Sequence, residues 1–170
     1  RWMLHKLHEF GSKWSVPALN GMLAIILFSI AVCLILDATE MKTMTSAVCF
    51  PFIMMIFPSI ACTMSFMFTV DIYALGFLFG CMGTWLIRKY KYGWIPGIAL
   101  LVMCMGVYQS YICFSAGILV FALILELFRE KEVSEVVKKG IVSLGSLIAS
   151  MGIYVFLSRF VIGGLQDYKG

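Results

Sequence analysis

Charge is what this sequence lacks most. Of its 170 residues only 13% are charged and 62% are hydrophobic. An ordinary soluble domain carries about 25% charged residues. A chain this poor in charge cannot cover a globule of its own size with polar surface, and the solvent that suits it is lipid. A strongly basic face is also missing. The net charge is +4, and the Lys and Arg residues sit between hydrophobic runs, which argues against a nucleic-acid partner. Paired cysteines are absent too. Cys33, Cys49, Cys62, Cys81, Cys104 and Cys113 all lie in apolar runs, with no C-x-x-C pair and no His at metal spacing. They read as small buried hydrophobes. No phosphate-binding loop, G-x-S-x-G or H-E-x-x-H is present. There is no internal repeat and no low-complexity tract.

What the chain does have is long apolar windows. Trp14–Leu36, Thr43–Val70, Ile72–Ile87, Tyr92–Leu125 and Gly140–Ser158 are free of charge. A spanning helix needs about 20 apolar residues. Tyr92–Leu125 would be roughly 51 Å long as one helix, too long for a single crossing, and the polar stretch GVYQSY at Gly106–Tyr111 is the natural break. Pro51 and Pro58 interrupt the second window. These features predict an all-α, polytopic transmembrane bundle of about six passes with short or broken helices. The passes fall at about 14–36, 44–57, 72–87, 94–107, 111–128 and 141–158. Segment 1–13 is expected to lie at the interface, and 129–139 is expected to form a cytoplasmic interfacial helix. Pro58–Val70 is expected to be irregular or re-entrant, which membranes tolerate only against protein or a wet cavity.

Counting positive residues orients the passes. With the basic turns at Arg88–Lys91 and Arg129–Lys139 inside, eight Lys and Arg are inside and five outside. Asp71 and the Tyr108–Tyr111 stretch then fall outside. The chain opens on Arg1 and both ends carry polar flanks, which reads as an internal fragment of a longer protein.

Two groups of residues could carry chemistry. Asp71 is the only acid between Glu40 and Glu126. A carboxylate at membrane depth is costly and usually faces a cavity or a partner, while an Asp ahead of a helix also serves as its cap. Tyr108, Gln109, Tyr111 and Ser115 form the second group. Tyr108, Tyr111 and Ser115 share a face if helical. Flat rings with hydroxyl and amide groups suit a sugar or a lipid headgroup, but they equally suit an aromatic belt at the interface. His5 and His8 read as a solvated face. Gly76, Gly80 and Gly83 read as close helix packing.

Two strings carry a further signal: FPSIACTMSFMFTVDIY at Phe57–Tyr73 and GVYQSYICFSAG at Gly106–Gly117. Through them the chain resembles the O-antigen glucosyltransferase II family of bacteria and their phages, multi-pass transferases of the GT-C class. The opening Arg1-Trp2 resembles the end of that family's G-R-W element. The resemblance implies a hexosyltransferase of the bacterial cytoplasmic membrane with its active site facing outside. It implies a polyprenyl-phosphate sugar as donor, typically glucose, and a surface polysaccharide such as O antigen as acceptor. It places Asp71 at the family's second external acid, positioning donor or acceptor or holding metal. It places Arg1, Trp2, Tyr73, Tyr108, Gln109 and Tyr111 in contact with substrate. No cofactor is certain, and a divalent cation at Asp71 is left open. The family's first-loop acids would precede Arg1, so this chain alone is expected to be inactive. Val70 stands where a smaller residue is expected. The alternative reading is a transporter or flippase for a lipid-linked or small polar substrate, and a third is a membrane subunit with no site, in which Asp71 is only a cap.

Overall fold

The computed structural model describes residues 16–41, 43–56, 58–66, 68–129 and 132–161, so the expected interfacial segment 1–13, with Arg1 and Trp2, lies outside the described residues. The fold is all-α. Among the described residues seven helices follow one another: α1 (Pro17–Ala38), α2 (Met44–Ile56), α3 (Pro58–Met64), α4 (Val70–Lys89), α5 (Trp94–Val107), α6 (Tyr111–Phe128) and α7 (Val133–Phe156), with a closing π-helical turn at Leu157–Val161. Helix is what lipid demands of such a sequence, because each backbone N–H and C=O must find its partner within the segment. Among the described residues four helices are long and apolar enough to cross a membrane: α1, α4, α6 and α7 with its closing turn. Met44–Ile53 and α5 are shorter apolar helices. The protein is a membrane-embedded helical bundle.

Proline and polar caps set the boundaries. Pro17 opens α1, where its missing N–H costs nothing. Pro51 lies inside α2 and Pro58 begins α3. Part of the segment expected to be irregular is therefore helical: α3 takes Pro58–Met64, while Ser65, Phe66, Phe68 and Thr69 ahead of Val70 are non-helical. At the end of α1, Thr39 donates its hydroxyl to the Ile35 carbonyl at 2.8 Å, and Glu40 takes the left-handed conformation at φ 54°. That conformation is strained for a side-chain-bearing residue. Arg129 holds Glu40 in place from α6, donating to its carboxylate and to its carbonyl, each at 2.9 Å.

The expected interfacial helix over 129–139 is not a separate element. Val133–Lys139 is the beginning of α7, which runs unbroken past Gly140 to Phe156. No proline stands at the junction, and a single glycine costs a helix only about 1 kcal/mol. In that first stretch Lys139 pairs with Glu126 of α6 at 2.8 Å.

The core is built on α4. It packs along α1 in parallel, with Ala24, Phe28, Ala31 and Ile35 meeting Val70, Ala74, Phe77, Leu78 and Cys81. On its other side it runs antiparallel to α5 along a glycine seam. A Cβ on Gly76 would come within 2.7 Å of Val107, and one on Gly83 within 3.0 Å of the Gly97 carbonyl. Of the six cysteines, Cys81 and Cys104 are buried and the other four are exposed, Cys62 and Cys113 of them toward the cavity described below. Their apolar setting in sequence does not distinguish a core from a lipid-facing side.

The two ends of the bundle differ. At one end the C-termini of α1, α4 and α6 meet the N-terminal half of α7 through ion pairs. Lys89 pairs with Asp37, Arg129 with Glu40, and both Arg88 and Lys139 with Glu126. At the other end α4 begins beside the α5–α6 turn, and the contacts are between aromatic rings.

Candidate functional site

The aromatic end opens into a cavity of about 1140 Å³. Its walls come from α1 (Phe28, Ile35), α2 (Phe50, Ile53), α3 and the following turn (Ile60, Cys62, Thr63, Phe66), α4 (Tyr73, Phe77) and the α5–α6 turn with α6 (Tyr108, Ser110, Tyr111, Cys113, Phe114, Gly117, Ile118, Phe121). The lining residues of α6 run from Tyr111 to Phe121, ten residues or about 15 Å along the helix. The cavity thus reaches about half-way through a bilayer core. Its mouth carries hydroxyls and its depth is apolar.

Three of the expected residues meet at the mouth. The break between α5 and α6 falls at Tyr108–Tyr111, so these two tyrosines do not share one helical face. The turn still sets their rings edge to face at 5.1 Å. Tyr73, from the first turn of α4, stands edge to face with Tyr108 at 5.9 Å. Such T-shaped contacts set the positive edge of one ring against the negative face of the next. The Tyr111 hydroxyl lies within hydrogen-bonding reach of the Thr63 side chain. Below them Phe77 touches Tyr111, Phe114 and Phe28, with ring centroids at 5.7, 4.7 and 5.3 Å.

The other expected residues go elsewhere. Gln109 leaves the cavity and donates through Nε2 to the Tyr154 hydroxyl on α7 at 2.8 Å. Ser115 is buried, with its Oγ beside Gly80. Asp71 does not line the cavity. It is two residues from Tyr73, about 200° around a helix, and so on the opposite side of α4. The cap role also falls to another position: Thr69 is the N-cap and Asp71 lies inside the first turn. There the carboxylate faces the positive end of the helix dipole. Its Oδ1 is buried and accepts no hydrogen bond among the described residues. No group of three His, Cys, Asp or Glu able to hold a metal occurs among the described residues.

Within this geometry, comparison with known proteins is decisive. The family model for glucosyl transferase GtrII matches residues 1–170. The chain belongs to the GtrII glucosyltransferase family. No curated protein and no solved structure matches it. In this GtrII chain the cavity lies between helices that carry residues of both strings quoted above. Sequence reading missed several of its parts. Phe77 and Phe114 lie in unbroken apolar runs, where nothing separates a cavity wall from a lipid-facing ring. Thr63 was hidden in a segment read as irregular, and Tyr154 in a segment read only as a membrane pass.

Proposed function

We propose that this GtrII protein transfers a glucosyl group from a polyprenyl-phosphate carrier to a surface polysaccharide such as O antigen. In this reading the aromatic end of the bundle faces outward from the bacterial cytoplasmic membrane. The observation that supports it is the shape and chemistry of the cavity: hydroxyls at the mouth, hydrocarbon in the depth. A lipid-linked sugar has the same polarity, with its tail in the bilayer and its reacting carbon at the interface. The excess of Lys and Arg at the ion-paired end supports the orientation.

Each described residue then has a part. Tyr73, Tyr108 and Tyr111 offer ring faces and hydroxyls to the sugar. The apolar wall around Phe77 and Phe114 takes the upper part of the carrier chain. Asp71, at the same membrane level but across α4, acts on the transfer through the first turn of α4, which also carries Tyr73. Transfer also needs a base for the acceptor hydroxyl and charge stabilisation for the leaving phosphate. A carboxylate cannot stabilise a phosphate without a cation beside it. The described residues do not by themselves surround Asp71 with a ligand set, so no step is assigned to a metal there.

The test uses the intact protein in membrane vesicles supplied with glucosyl polyprenyl phosphate and O-antigen acceptor. Wild type is expected to transfer glucose. Asp71→Asn at matched insertion is expected to lower kcat by at least about tenfold, and Tyr108→Leu to raise KM for the donor. Full activity in both variants, or no transfer by wild type, would sink the reading.

A further inference from the structure

The polar stretch between α5 and α6 splits in two directions. Tyr108, Ser110 and Tyr111 line the cavity. Gln109, between them, turns to the rear and donates to the Tyr154 hydroxyl at 2.8 Å. Tyr154 is well anchored to receive it. It is 6% exposed and packs with Val102 and Met105 of α5, against which Ile98 and Ile112 also lie. Its ring thus fills the space behind the turn, and its hydroxyl is the polar atom that reaches the turn from α7. The turn's own backbone bonds are short-range, from Tyr111 N–H to the Tyr108 carbonyl at 3.2 Å and from Ile112 N–H to the Gln109 carbonyl at 3.3 Å, and on the cavity side its tyrosines meet Tyr73, Phe77 and Thr63. The backbone bonds fix the shape of the turn, not its position in the bundle.

We propose that Tyr154 is a positioning residue: through Gln109 it holds the Tyr108–Tyr111 turn at the depth and rotation that set the cavity mouth. This rests on the functional reading above only in what the mouth binds. The bond is suited to positioning because it is not required to satisfy a buried amide. Gln109 is exposed, so water can replace its partner at little cost to folding. What its loss changes is where two ring-bearing neighbours stand.

The experiment compares wild type, Tyr154→Phe, Gln109→Leu, the double variant and Gln109→Glu in the intact protein. Two readouts are taken: amide hydrogen exchange over 108–112 in detergent, and KM and kcat with glucosyl polyprenyl phosphate. Tyr154→Phe keeps the ring and its packing. It is expected to speed exchange in the turn while leaving α4 unchanged, and to raise donor KM about three- to tenfold with kcat within about twofold. Gln109→Leu is expected to match it, and the double variant to add nothing further, as two partners of one bond should. Gln109→Glu is expected to restore KM, because the Tyr154 hydroxyl can turn and donate to the carboxylate, and to fail to do so beside Tyr154→Phe. Unchanged exchange in Tyr154→Phe overturns the tether. Faster exchange with unchanged KM, or a fall in kcat alone, overturns its role at the mouth. Absence of transfer in wild type would refute the functional reading instead, and exchange would still decide the tether.

Discussion

Glu126 takes two cations, Arg88 and Lys139, through one carboxylate oxygen. Arg88 Nη2 lies 3.0 Å and Lys139 Nζ 2.8 Å from its Oε1. Glu126 and Arg88 are both buried, at 2% and 6% side-chain exposure, whereas Lys139 is 44% exposed. The two cations are therefore unequal partners. Removing the acid strands a buried guanidinium, a loss that costs about 3–5 kcal/mol. Removing the lysine leaves a buried pair intact. Glu126→Leu is expected to lower the thermal midpoint in detergent by far more than Lys139→Met; equal shifts would show that burial does not govern the cluster. Little of this was visible in sequence. Glu126 stands at the edge of a charged stretch, where a solvated carboxylate is the ordinary expectation, and its partner Arg88 is 38 residues away. Asp71 shows the reverse. Its isolation among apolar residues marked it correctly as unusual, but only the helix start at Val70 reveals that it lies inside the first turn and turns away from Tyr73.

At the scale of elements, α4 and α5 approach so closely that hydrogen is the only side chain that fits. A Cβ on Gly97 would stand 2.6 Å from Ile87 Cγ1 and 3.0 Å from the Gly83 carbonyl oxygen. The side chain can move but the carbonyl cannot move without its helix. Gly145 and Gly152 of α7 have nothing within 4 Å of the same position. Gly97→Ala is thus expected to destabilise by about 1–3 kcal/mol, and Gly145→Ala to be neutral or to stabilise slightly through helix propensity. Unfolding in mixed detergent would separate the two. This seam was legible, since glycines three and four apart in an apolar run already suggest close packing. Its partner was not, because spacing along one helix says nothing about which neighbour it admits. The α5–α6 break was also legible from GVYQSY, whereas the continuity of α7 was not, because a charged start and an apolar remainder can be one helix or two.

The whole molecule is polar in the sense of having two unlike ends, and its placement in the membrane follows from that in the proposed reading. With the ion-paired end inside, a membrane-impermeant thiol reagent applied to intact cells should modify Ser110→Cys at the aromatic mouth and spare Ser134→Cys at the start of α7, with the native cysteines measured as the baseline. The opposite pattern would invert the orientation and move the cavity to the cytoplasmic side. All-α class and membrane residence were readable from composition, because sparse charge and long apolar windows leave few other solutions. The cavity was not, because it is made by α1, α2, α3, α4 and the α5–α6 turn with α6, and exists only once they are packed.

The unequal ends have a mechanical side. Ion pairs join α1, α4, α6 and α7 at one end, while rings meet at the other, where the Gln109–Tyr154 bond and the Gly76–Val107 contact also tie α4, the α5–α6 turn and α7. Each helix is a stiff rod, about 30 Å long for 20 residues. With the charged end as fulcrum, a tilt of about 4° displaces the far tip by about 2 Å over that length. A lever of that length turns a small change at the charged end into a larger one at the cavity mouth.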